Sequence, residues 1–300
     1  MPEESKRNVP AEPSTRAAQP ALAPGLYLVA TPIGNARDIT LRALDILAAA
    51  DALAAEDTRE TRKLLDIHGV ALGDRPLVSY HDQNGPARRP QLLGWLAEGR
   101  SVAYCTDAGT PLVSDPGYRL VEEALAAGHD VTAAPGASAV LTALSVAGLP
   151  TDRFLFVGFL PAKPGARTRA LEELATVPAT LVIYESPRRT ADTLSEMAAI
   201  LGDRPGAVAR ELTKRFEEVR RGPLSALAAS SAEIPPRGEV VLLAGPPLPR
   251  AEAESAEALD DALRIALETE SVRDAARQVA DRLGLPRKSV YARALEMSGK

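Results

Sequence analysis

Leu26-Tyr27-Leu28-Val29-Ala30 runs without a charge into Thr31-Pro32-Ile33-Gly34-Asn35. A short aliphatic run that stops at a Pro/Gly turn reads as a buried strand delivering its end to a tight loop. The same rhythm returns downstream. Ala52-Leu53-Ala54-Ala55 precedes the polar Glu56-Asp57-Thr58-Arg59, Val102-Ala103-Tyr104-Cys105 precedes Thr106-Asp107-Ala108-Gly109-Thr110-Pro111, and Val131-Thr132-Ala133-Ala134 precedes Pro135-Gly136-Ala137-Ser138. Helical stretches lie between them: one through Leu41, Leu44, Ile46 and Leu47 with Asp38 or Thr40 as its cap, one through Leu120, Val121, Ala124 and Leu125 that stops at Gly128, and one through Leu141 and Leu144. Strands alternating with helices predict an α/β lobe with a largely parallel sheet over residues 25–148.

A second α/β lobe is expected over residues 149–248, with strands at 154–157, 180–184, 206–209 and 239–243. Residues 217–221 and 224–229 read as a strand and then a helix, in a more mixed arrangement, and 245–249 as a stiff linker. Residues 1–24 hold five prolines and no apolar period, the pattern of a disordered tail. The last fifty residues change character twice: 251–270 carry seven acidic and one basic side chain, and 271–300 carry seven basic and three acidic. From Asp261 onward the pattern gives short helices, a small all-α appendage over 258–300. Ser271 with Asp274 forms a capping-box-like start. Gly284-Leu285-Pro286 separates the last two helices, with Val290, Tyr291, Ala294 and Leu295 expected inward and Arg287, Lys288 and Arg293 outward, as in a helix-turn-helix.

The net charge of −5 argues against a protein-wide basic surface, though a sum conceals a local patch. Cys105 is the single cysteine, so no internal disulfide and no Cys-rich metal site exists, and with only His68, His81 and His129 no metal is expected. No apolar stretch is long enough to span a bilayer and no secretion signal is visible, so the expected location is the cytoplasm, away from the membrane. The chain also lacks a P-loop, a G-x-G-x-x-G after its first strand, a G-x-S-x-G elbow and H-E-x-x-H. The chemistry then falls to backbone amides, carboxylates and arginines. Parallel strands end on one edge, so the loops at 31–35, 56–59, 107–110 and 135–138 should converge there.

These loops also carry a resemblance. Residues 31–35 with Asp38-Ile39-Thr40, 55–59, 106–111 running into Ser114-Asp115-Pro116-Gly117, 147–154, Gly158-Phe159-Leu160-Pro161, Tyr184-Glu185-Ser186-Pro187-Arg188-Arg189 and Ala209-Arg210-Glu211-Leu212-Thr213-Lys214 together resemble the ribosomal RNA small-subunit methyltransferase I family. The likeness covers residues 25–245 in order. It implies two α/β lobes of the tetrapyrrole-methylase type, usually a homodimer, with S-adenosylmethionine in the cleft between the lobes. It further implies 2′-O-methylation of cytidine 1402 of 16S ribosomal RNA in the small ribosomal subunit. Thr106 stands where many relatives have Ser, and Ala137 where Pro is common.

On this reading the cofactor-binding candidates are Pro32, Gly34, Asp107, Ala108, Gly109, Thr110, Pro135, Gly136, Ser138, Tyr184, Glu185, Arg210 and Glu211. Arg59, Arg188, Arg189, Lys214, Arg287, Lys288 and Arg293 are candidates for RNA contact. A ribose hydroxyl is a poor nucleophile, and Glu56, Asp57, Asp107 and His81 are the candidate bases, unranked. Each has a plainer reading: Asp107 as a turn cap, Glu56-Asp57 as a helix start, His81 as loop structure beside Asn84, Arg210-Glu211 as a surface ion pair, Cys105 as core. Two other functions fit parts of the sequence, methylation of a tetrapyrrole carbon and non-catalytic nucleic-acid binding through the C-terminal helices.

Overall fold

The computed structural model describes residues 21–113, 117–247 and 250–298, with the side chains of 250–257 left aside. The first lobe contains β1 (Gly25–Val29), α1 (Leu41–Ala49), β2 (Ala52–Ala55), α2 (Thr58–Ile67), β3 (Leu77–Ser79), α3 (Gly85–Ala97), β4 (Ser101–Cys105), α4 (Tyr118–Ala126), β5 (Val131–Ala134) and α5 (Ala139–Ala147). Its sheet has the order β3-β2-β4-β1-β5, and every pairing is parallel. β2 and β4 are buried throughout, which is why they read as unbroken apolar runs instead of alternating ones. Thr40 caps α1, its hydroxyl accepting from the Ala43 N–H at 3.1 Å, while Asp38 ends a single 3-10 turn that begins at Ala36. Asp57 caps α2 by accepting from the Arg59 N–H at 2.8 Å. Cys105 lies in the core, where burial pushes its thiol up to about 12.

The second lobe follows with β6 (Phe154–Phe159), α6 (Pro164–Leu174), β7 (Thr180–Glu185), α7 (Thr190–Leu201), β8 (Pro205–Arg210), β9 (Glu218–Pro223), α8 (Leu224–Glu233) and β10 (Val240–Ala244). Its sheet runs β6-β7-β10-β8-β9, with β6 and β7 parallel and every other pairing antiparallel. The lobes are joined by a shared apolar cluster in which Val140, Ala143, Leu144 and Ile33 of the first pack on Val182, Ala207, Leu212 and Leu243 of the second. α5 thus belongs to the first lobe by sequence and covers the second lobe's sheet.

The appendage consists of α9 (Arg250–Leu267), α10 (Val272–Leu283) and α11 (Arg287–Ser298). α9 starts upstream of the expected Asp261. Ser271 caps α10 by accepting from the Asp274 N–H at 3.2 Å and donates its own hydroxyl proton to the Asp274 carboxylate at 2.7 Å. Val290 and Ala294 are buried as expected, but Tyr291 is exposed, because the α11 stripe that meets α9 and α10 is narrow and built from small residues. The expected tail falls mostly outside the described residues, as do part of the 245–249 linker and Ser114-Asp115-Pro116.

Candidate active site

Hydrogen bonds staple the ends of the parallel strands together. Thr31 and Gly109 exchange backbone hydrogen bonds at 2.9 and 3.0 Å, a short antiparallel bridge that Gly109 permits by adopting φ +84°. Thr106, the hydroxyl residue in place of Ser, donates to the Gly109 carbonyl at 3.2 Å. Thr110 donates to the Ala137 carbonyl at 2.9 Å, and the Asp57 N–H donates to Asp107 Oδ1 at 2.8 Å. Loops separated by up to a hundred residues in sequence thereby form one rim.

That rim faces the second lobe across a cleft of about 380 Å³. Ile33, Ala108, Gly109, Thr110, Val113 and Ser138 form one wall, and Phe159, Tyr184, Glu185, Ser186, Glu239, Val240 and Val241 the other. Ile33, Ala108 and Glu239 also border an adjoining recess of about 260 Å³, lined by Pro32, Gly34, Asp107 and Lys214 among others. The walls are largely apolar with a few convergent polar groups, the usual make-up of a small-molecule site.

Several candidates take other positions. Pro135 and Gly136 line neither space. The Glu185 carboxylate borders the cleft but is buried and occupied: it accepts from the Ser186 N–H at 2.7 Å and the Thr193 hydroxyl at 2.7 Å and pairs with Arg189 at 3.1 Å. Arg189 also donates to the Leu160 and Pro161 carbonyls, so it is turned inward, whereas Arg188 is exposed. Arg210 pairs with Glu218 at 2.6 Å across β8 and β9 and stays out of the cleft. Glu211, at φ +50°, accepts from the Glu239 N–H and from Lys214, both at 3.0 Å, so it props the cleft floor without lining it. Arg59 is held by Asp57. In the appendage Arg287 pairs with Asp281 and Arg293 with Asp260 and Glu296, and Lys288 is exposed with no ion pair among the described residues.

Ile33, Phe159 and Glu239 line the cleft without belonging to the candidates drawn from the sequence. Phe159 was legible there, as an aromatic at a strand end before a Pro turn. Glu239 was not: β10 is antiparallel to β7, with Val240 opposite Glu185, so the cleft meets its beginning while the sequence rule looks to strand ends.

Electrostatics divides the carboxylates. Arg59 holds Asp57 down at about 2, which leaves a weak base. Burial raises Glu56, and the neighbouring Asp107 carboxylate raises it further. Burial works against the Lys214 ammonium, but Glu211 and Glu239 outweigh it and lift its pKa. His81 lines neither the cleft nor the recess but a separate cavity beside α3 and α4, within electrostatic reach of Glu56. Among the described residues no cluster of His, Cys, Asp or Glu is placed to hold a metal, and no helix is long and apolar enough to cross a membrane.

Residues 25–228 match the model of the Tetrapyrrole (Corrin/Porphyrin) Methylases, and residues 252–298 that of the RsmI C-terminal HTH domain. A Mesorhizobium japonicum protein named Ribosomal RNA small subunit methyltransferase I is 51% identical over 92% of this chain and 93% of its own. The chain belongs to the ribosomal RNA small subunit methyltransferase I family. Members from Micromonospora olivasterospora (46% identity, 95% of this chain and 92% of the relative) and Escherichia coli O157:H7 (43%, 91% and 96%) match across the same span. Among solved structures, a conserved hypothetical protein from Aeropyrum pernix has a TM-score of 0.59 at 20% identity, covering 92% of this chain and 96% of that one. Uroporphyrin-III C-methyl transferase from Thermus thermophilus, complexed with S-adenosyl homocysteine, has a TM-score of 0.51 at 23% identity, covering 73% and 97%. At such identities these two likenesses establish the family's methylase fold and nothing finer.

Proposed function

We propose that this protein transfers a methyl group from S-adenosylmethionine to the ribose 2′-oxygen of cytidine 1402 of 16S ribosomal RNA, acting on the small ribosomal subunit in the cytoplasm as a homodimer. The observation that carries the reading is the match, across both lobes and the appendage, to relatives named for methylation of small-subunit ribosomal RNA. The solved methylase with S-adenosyl homocysteine supports the cofactor.

The cleft fits such a cofactor on its own terms. Its 380 Å³ falls in the range of nucleoside-sized ligands. Ile33, Val113, Val240 and Val241 give apolar walls for a base, and the 106–110 and 184–186 segments offer polar backbone. S-adenosylmethionine supplies a methyl group already activated by its sulfonium. The protein's share is to hold the acceptor in line and to take its proton. Asp107 is the candidate base that lines the recess, while Glu56 lines neither space but sits against Asp107, where burial and the Asp107 charge raise its proton affinity. On that juxtaposition Glu56 is assigned as the base, Arg59 having lowered the proton affinity of Asp57. Asp107 lines the recess, is fixed by the Asp57 N–H, and orients the hydroxyl. Lys214, exposed Arg188 and the basic face of the appendage serve the RNA backbone.

Labelled methyl transfer to unmethylated small subunits, run beside a tetrapyrrole precursor, tests the reading. Label in the RNA is the expected result; label in the tetrapyrrole would overturn it.

A further inference from the structure

Outside the interlobe cleft, and sharing no lining residue with it, a cavity of about 350 Å³ opens between the loop that follows β3 and the start of α4. Tyr80, His81, Asp82 and Arg89 line one side, Tyr118 and Arg119 the other. Leu120 and Ala124 bury the inner face of α4, which leaves Tyr118 turned outward and 63% exposed. The Arg119 guanidinium lies over one face of the Tyr118 ring, 5.9 Å from its centre, which leaves the opposite face for a base. Its ion pair with Glu122 is an exposed i,i+3 pair, readily exchanged for another anion. Arg89 is mostly buried, pairs with Glu123 at 2.8 Å, and has an Nε that is buried with no hydrogen-bond partner among the described residues. An exposed aromatic face beside two guanidinium groups is the combination that takes a nucleotide, the ring stacking on the base and the cations meeting the phosphate.

The cavity also adjoins the candidate base. Tyr80 donates its N–H to the Ala55 carbonyl at 2.7 Å, and the Ser79 hydroxyl donates to the Glu56 carbonyl at 3.3 Å, so the lining loop is fastened to the segment that carries Glu56. Asp82 and His81 both lie within electrostatic reach of the Glu56 carboxylate. Asn84 fixes the loop's shape, accepting from the His81 N–H at 2.8 Å and donating to the Ser79 carbonyl at 3.2 Å. Among the described residues Asp82 is the one acidic side chain of the lining, and a carboxylate beside a stacking ring selects a base with an exocyclic amino group, such as cytosine, over one presenting a carbonyl there.

We propose that this cavity receives the base and phosphate of the cytidine whose ribose is methylated: the base stacks on Tyr118, its amino group donates to Asp82, and the phosphate meets Arg119 and Arg89. The inference rests on the RNA-methylation reading but is tested apart from it. The probe is cytidine 5′-monophosphate, titrated into the full chain with uridine 5′-monophosphate as control. The cytidine nucleotide should bind more tightly than the uridine one. Tyr118→Ala should weaken it by about fivefold or more, Tyr118→Trp should restore binding, and Asp82→Asn should erase the difference between the two nucleotides. In the transfer assay, Tyr118→Ala should raise KM for small subunits while the dissociation constant for S-adenosylmethionine stays put. Equal binding of the two nucleotides by the unaltered protein, absence of binding, or indifference to Tyr118→Ala would overturn the proposal. A protein that binds the nucleotide through Tyr118 yet leaves small subunits unlabelled would instead overturn the methylation reading alone.

Discussion

The Asp57 N–H donates to Asp107 Oδ1 at 2.8 Å, so the end of β2 and the end of β4 are fastened by the very carboxylate that lines the recess beside the cleft. The bond leaves Asp107 held at one oxygen, with Glu56 beside it destabilised as an anion by burial and by the Asp107 charge. Environments that push two neighbouring carboxylates apart in this way are the basis on which Glu56 is proposed as proton acceptor and Asp107 as the orienting group.

Glu56→Gln should lower the single-turnover rate of methyl transfer by about 100-fold or more while leaving cofactor affinity intact. It should also stabilise the protein at neutral pH. Glu56 has a folded pKa above its unfolded value, so its ionised form costs stability; the cost is absent below the unfolded pKa and grows as pH rises through the folded one. Thermal unfolding across pH checks this: the gain in Tm for Glu56→Gln should shrink to nothing in acid. Glu218 provides the opposite sign. Arg220 and Arg210 pull it to about 2, so its contribution is present above the ordinary carboxylate value and disappears as pH falls towards 2.

At Gly34 the first lobe comes close against the 212–214 segment of the second. A Cβ there would sit 2.7 Å from Thr213 Oγ1 and 3.1 Å from the Leu212 carbonyl, in a segment where Glu211 and Thr213 already hold positive φ. Gly34→Val should cost about 1–3 kcal/mol by denaturant unfolding and weaken cofactor binding, because the cleft walls are forced apart. Unchanged values in both measurements would show that the 212–213 segment yields freely.

Glu185→Ala removes a buried carboxylate that serves the Ser186 N–H, Thr193 and Arg189. Leaving Arg189 without its partner should destabilise the fold by about 3 kcal/mol or more. Tyr184 and Ser186 flank that position, so cofactor affinity should fall as well, in contrast to Glu56→Gln. Denaturant unfolding and calorimetric titration separate the two variants.

The appendage buries its own apolar cluster, drawn from residues 259–297. Lys288 and Arg282 are exposed there without an ion pair among the described residues, whereas Arg293 is tied to Asp260. Replacing Lys288 and Arg282 by Ala should weaken binding to small subunits and reduce the salt slope by about one for each phosphate left without its cation. Arg293→Ala should instead loosen α11 from α9, which amide exchange in those helices will report.

The central strands were legible because strands covered on both faces must be apolar throughout, and β1, β2 and β4 are interrupted only by the loops they feed. β3 and α3 were not. β3 is three half-buried residues, too short for any period to register, and α3 carries Pro90 and Gly94 and buries little besides Leu92 and Leu96. In the site, residues on parallel strand ends could be anticipated from chain order, while Glu239 enters from the start of an antiparallel strand. What no sequence pattern conveyed is how charge is spent. Arg189, Arg210, Glu185 and Glu211 look like ligand groups in a motif, and the folded chain uses each to satisfy its own polar atoms.

Mapping the methylated nucleotide tests the account most directly. Unmethylated small subunits are incubated with this protein and labelled S-adenosylmethionine, and the ribosomal RNA is digested and sequenced by mass spectrometry. The expected product is 2′-O-methylcytidine at position 1402 of 16S RNA, lost on Glu56→Gln. A methyl group on a base, at a different nucleotide, or unaffected by loss of the Glu56 carboxylate would contradict it.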